Sequence, residues 1–225
     1  MGRALGDILP LAVAVAIFPV PIIIAVLVLG SDRGTAKGAA YALAWSIGLF
    51  AVGAIVLVLA GAADAGDNDQ PATWVNVLLL GLGLLLLAAA VRQWRGRPGG
   101  GEKATTPGWI RAIDKFTIAR AGGAGFALSA LNPKNVLLTA AAAAEIAEVG
   151  LSAGREVALL LGFVVVASAG VLTPLVLALA LGERSRGLLE GLRGWMARYS
   201  PVIMGLLCLI IGAKLIGDAL SGFSS

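Results

Sequence analysis

The chain has 225 residues, of which 59% are hydrophobic and only 13% charged, with a formal charge of +4. A soluble domain carries about a quarter charged residues, so there is no room for a sizeable soluble domain, and the composition is that of an integral membrane protein. There is no histidine, and one cysteine, Cys208. That excludes a disulfide within the chain, a dithiol, and the commonest metal ligand and neutral-pH acid–base group.

Six apolar spans are predicted, at Leu5–Leu29, Gly38–Ala60, Thr73–Val91, Ala121–Ala144, Val157–Leu181 and Pro201–Leu220. Runs of about 20 apolar residues cross the hydrocarbon core as helices. The first span is longer than a signal-peptide core and no clear cleavage pattern follows it, so it is expected to be retained. Thirteen Lys and Arg fall in the connections after spans 1, 3 and 5, and two, Arg3 and Arg155, fall on the other side. The positive-inside rule then puts the basic side in the cytoplasm and both termini outside a bacterial inner membrane. Across span 1 alone the charges nearly balance, and the later loops decide. The "ADAGDNDQ" stretch between spans 2 and 3 has three Asp and no base, which suits the outer side.

Two basic connections carry amphipathic patterns. "RGRPGGGEKATTPG" is a flexible linker. After it, Trp109, Ile113 and Phe116 share a helical face, and before span 6 Leu188, Leu192 and Trp195 do the same. Either segment is a short helix at the inner headgroup level drawn to anionic lipid, or an extension of the following span. The chain therefore divides into a first three-helix unit over 1–95, a basic linker over 96–120 and a second three-helix unit over 121–225.

The two units look like copies. "AVAIFPVPIIIAVLVL" in span 1 matches "ALSALNPKNVLLTAAA" in span 4, with Pro19 on Pro133, Phe18 on Asn132, Val20 on Lys134 and Pro21 on Asn135. Three spans per unit invert the second unit relative to the first. Inverted repeats with broken helices at matching positions mark secondary transporters. Pro19, Pro21 and Pro133 each remove a backbone donor and free carbonyls at mid-membrane, which is tolerable only against protein or a wet cavity. Asn132 and Asn135 can satisfy such carbonyls or bind a ligand. Lys134 is a cation at the same depth, costing about 2.5–3.5 kcal/mol on insertion scales. The fold class is thus all-α, with six transmembrane helices as two inverted repeats and helices 1 and 4 broken. Asn132, Pro133, Lys134, Asn135, Pro19 and Pro21 are the candidate substrate or gating residues.

A second set of charges lies toward the outer side. Lys214 and Asp218 can pair at i, i+4. Glu145 and Glu148 close span 4, Arg155 and Glu156 open span 5, and Asp7 lies near the outer end of span 1. Lys214, Asp218 and Glu145 are candidate coupling groups, against the alternative of interfacial charges at helix ends. Tyr41 and Trp45 are expected to pack, and Gly205 and Gly212 to allow close helix contact.

"SALNPKNVLL", "FPVPIIIAVLVL" and the six spans together resemble the lysine-exporter (LysE) superfamily. Within it, the chain is most similar to the GAP branch, also called Sap, the glycopeptidolipid- and sulfolipid-addressing proteins. The resemblance implies export, and for this branch delivery of glycolipids to the cell surface. It places Asn132, Pro133 and Lys134 on the superfamily's span 4 motif and Pro19 and Pro21 on its span 1 proline region. The superfamily's dithiol electron carriers need paired cysteines, which this chain lacks.

The expected function is export or translocation of an amphipathic molecule such as a glycolipid. A proton-coupled exporter of amino acids or other small solutes is the first alternative, and a non-transporting scaffold for lipid machinery the second. No nucleophile–base pair is visible, so an enzyme is not expected, nor a metal, cofactor or nucleic-acid partner. Expected partners are membrane lipids, with anionic headgroups on the cytoplasmic face, and the cargo. A second copy of the chain is a candidate partner for enclosing a large lipid.

Overall fold

The computed structural model describes residues 2–64, 73–95 and 116–224, and over these the chain is all-helical. The helices are α1 (Gly2–Ala16), α2 (Pro19–Leu29), α3 (Gly34–Asp64), α4 (Thr73–Arg95), α5 (Ile118–Ala130), α6 (Pro133–Glu148), α7 (Ala153–Leu181) and α8 (Ser185–Ser224). A 3-10 turn, Gly182–Arg184, joins the last two. By length and composition, α3 over Gly34–Gly61 and α7 can each cross a membrane. Leu5–Ala16 and Pro19–Leu29, bent by 49° at their junction, form a broken span or a re-entrant pair.

The bend has a local cause. Pro19 has no N–H to extend α1 and biases its predecessor away from helical backbone. Phe18 is accordingly extended (φ −61°, ψ 114°), and Pro19 starts a new helix at a first-turn position that needs no donor. α5 and α6 are separated in the same way. Asn132 is extended (φ −74°, ψ 117°) and Pro133 opens α6. The two breaks thus share a backbone, and Pro19 and Pro133 occupy equivalent places in it.

The packing also pairs the two halves. α3 lies against α5 and α6, as α7 lies against α1 and α2. α4 pairs with α8, α1 meets α6, and α3 meets α7. The α2–α8 contact has its counterpart in α4–α6. Two crossings are close enough to require glycine. A Cβ at Gly125 on α5 would collide with the Tyr41 carbonyl of α3, and one at Gly170 on α7 with the Ala16 carbonyl at the end of α1. Where α4 crosses α8, a Cβ on Gly83 or Gly212 would lie 3.0 Å from the other's carbonyl oxygen. Small residues let backbones approach in this way.

The core lies where these elements meet. Tyr41, Trp45 and Leu49 on α3, Phe163 and Leu160 on α7, and the Ala140–Ala144 run of α6 are buried. Ser46 and Ser168 hydrogen-bond each other at 3.0 Å across the α3–α7 contact. Large apolar side chains such as Leu43, Val58, Val165 and Leu179 are exposed on the outside of the bundle, as lipid-facing positions are.

The sequence left two readings for Leu188–Trp195. The structure makes it the start of α8, a continuous helix extending the last apolar segment. The other amphipathic segment, apart from Phe116, lies outside the described residues.

Candidate functional site

The second helix break is built mainly from its own side chains. Asn132 caps α6, its Oδ1 accepting from the Lys134 backbone N–H at 3.1 Å. Such a cap satisfies one of the orphan donors of a new helix. Asn135 is fully buried and reaches back to α5, its Nδ2 donating to the Leu128 carbonyl at 2.7 Å. Leu131 N–H closes the last turn of α5 on Ala127. The two asparagines therefore answer the backbone groups left by the break, one on each side of it.

The first break has no such polar side chains of its own. Phe18 gives no side-chain cap. The Tyr41 hydroxyl, from α3, donates to the Pro21 carbonyl at 3.0 Å and is fully buried there. Pro19, Pro21 and Phe18 are all buried. The two breaks touch through Lys134, whose Nζ stands 5.1 Å from the centroid of the Phe18 ring, within cation–π range.

Lys134 also lines a cavity of about 450 Å³ with Asn132, Pro133 and Leu137, against Leu86, Ala89 and Arg92 of α4. Small-molecule pockets commonly fall between about 300 and 1,000 Å³. Its walls are mostly apolar, and its charged members are the cations Lys134 and Arg92. Such a space suits an anionic or strongly polar group attached to something apolar. Of the predicted site residues, Asn132, Pro133 and Lys134 reach the cavity; Asn135, Pro19 and Pro21 do not line it.

In the sequence Arg92 reads only as one of the loop charges that set orientation. Its signal was faint: small residues, Ala88 to Ala90, precede it and leave room beside the helix. Asn135 Oδ1, Thr139 Oγ1 and Trp45 Nε1 are buried with no hydrogen-bond partner among the described residues. Asn135 and Thr139 are one turn apart on α6, so the interior beside the break is more polar than its flanks.

At the far end of α6, Lys214 gathers the charges that the sequence placed separately. Its Nζ lies 2.6 Å from Asp218 Oδ2, 3.3 Å from Glu145 Oε1 and 3.5 Å from Asp7 Oδ1. Glu145 is 6% exposed. α1, α6 and α8 are thereby tied at one point.

A family model described as Sap, sulfolipid-1-addressing protein, matches residues 8–221. The chain belongs to the Sap family. The match takes in both helix breaks, the cavity wall and every member of the Lys214 cluster but Asp7. No curated protein and no solved structure matches the chain. Membership in the Sap family joins an apolar helical bundle to lipid addressing.

Proposed function

We propose that this Sap-family protein exports an amphipathic molecule, a lipid with an anionic or polar headgroup, across the bacterial inner membrane. The observation that carries the reading is the cavity at the second helix break. It places Lys134 and Arg92 on walls that are otherwise mostly apolar. A headgroup would sit against the two cations and Asn132, and acyl chains along Leu86, Ala89 and Leu137. A solute without an apolar part would leave most of that wall unused.

The bundle is read as two inverted units of three spans each, over 1–95 and 121–225, joined by a basic linker over 96–120. Two features support it: the matching backbone at Phe18–Pro19 and Asn132–Pro133, and the way contacts of each unit recur with the partners exchanged. In such folds cargo binds where broken helices meet between the repeats. The basic connections would face the cytoplasm and gather anionic headgroups, and both termini would lie outside. The protein acts here as a carrier and not an enzyme.

The test is a deletion strain complemented with wild type or with Lys134→Ala, with surface lipids, interior lipids and soluble metabolites quantified together. The expected result is a lipid that is made but stays inside, rescued by wild type and not by Lys134→Ala. A soluble metabolite retained instead would favour the small-solute exporter. A lipid no longer made would favour a scaffold and overturn the proposal.

A further inference from the structure

The ends of α6 have different chemistry. Its start opens onto the Lys134 cavity. At its end, about 17 Å further on at 1.5 Å per residue, Lys214 pairs with Glu145 of α6 and Asp7 of α1. These join helices from different parts of the chain. Asp218 is different, because it sits one turn along α8 from Lys214 and moves with it.

That arrangement makes the junction releasable. A cation taken out of water and stripped of its partners is costly, so a lysine paired only with other helices would resist their separation. Lys214 keeps Asp218 when α1 and α6 move away. The three carboxylates around one ammonium also repel one another, which weakens the closed state. Glu145 and Asp218 touch the same ammonium, yet the first opposes separation and the second favours it.

We propose that Lys214, Glu145 and Asp7 form an ionic latch that closes the outer end of the bundle while the Lys134 cavity is open at the other, with Asp218 as the partner that holds Lys214 once the latch is released. The latch rests on the transport reading of the bundle, but its state can be read without any cargo.

The experiment uses the full chain in intact cells, with Cys208→Ser and a thiol introduced by Ala142→Cys. Ala142 is buried on α6, three residues before Glu145. A membrane-impermeant methanethiosulfonate reagent is added outside, and the initial labelling rate is measured. Glu145→Gln is expected to label several-fold faster than the unmodified latch, and Asp218→Asn several-fold slower. Equal rates, or a shift in the same direction for both, would overturn the latch. A second measurement places no thiol in the core. Spin labels at Leu5→Cys and Leu220→Cys, both exposed beside the cluster, report the α1–α8 separation. The population at long separation should grow in Asp7→Asn, which removes the α1 contact of Lys214, and shrink in Asp218→Asn; unchanged distributions would also overturn the proposal. Neither readout depends on Lys134, so the latch and the export reading can fail separately.

Discussion

The two helix breaks have nearly the same backbone and different chemistry. At Phe18–Pro19 the side chains are apolar, the new helix has no side-chain cap, and the polar contact is the Tyr41 hydroxyl of another helix donating to the Pro21 carbonyl. At Asn132–Pro133 the break caps itself, bonds back to α5 through Asn135, and adds a lysine facing a cavity. A proline at the first helical position is enough to make the bend. The residues around it decide whether the bend is only a joint or also a place to hold a ligand. On this account the first break is the joint and the second is the site.

That contrast can be broken at several points. The largest effect on stability is expected at Gly170, whose added Cβ would meet the Ala16 carbonyl beside the first break. Gly170→Ala should cost about 1–3 kcal/mol, as overpacking does, and lower the thermal midpoint of the purified protein. Gly123→Ala, where a Cβ meets nothing, serves as the control. Next is Asn135→Leu, which leaves the Leu128 carbonyl without its side-chain donor. A loss of about 1–3 kcal/mol is expected for a buried group left unsatisfied, partly offset because the orphan Asn135 Oδ1 also goes. A neutral or stabilised Asn135→Leu would mean that the second break does not depend on its own side chains. The smallest effect is expected for Tyr41→Phe, which removes the hydroxyl on Pro21 at about 0.5–1.5 kcal/mol. Export should continue in Tyr41→Phe. If it stopped while the protein stayed folded, the first break would belong to the site.

Much of this was legible in the sequence because polar residues stand out in an apolar run. Asn132, Lys134 and Asn135 interrupt a stretch that lipid would keep apolar, and the prolines fix where helices must restart. The alignment of Pro19 with Pro133 therefore carried over to the backbone, where both residues open a helix. What was hidden depends on distance in the chain. Glu145 and Lys214 are 69 residues apart, and each alone reads as a charge near a helix end. Arg92 looks like any other positive-inside arginine until α4 packs on α6. Thr139 and Trp45 raise no flag in the sequence, since a single hydroxyl or indole is ordinary in a membrane helix. The start of α8 misleads for a different reason, because an amphipathic segment has the same pattern whether it lies on the membrane or continues into a span.

The most direct test of the second break as the site is binding. Purified wild type and Lys134→Gln would each be presented with a sulfated glycolipid and with its desulfated counterpart, and retention compared by native mass spectrometry. The account predicts that wild type retains the sulfated lipid in preference, and that Lys134→Gln binds both lipids weakly and alike. Equal retention of the sulfated lipid by a folded Lys134→Gln protein would contradict it and return Lys134 to a structural role.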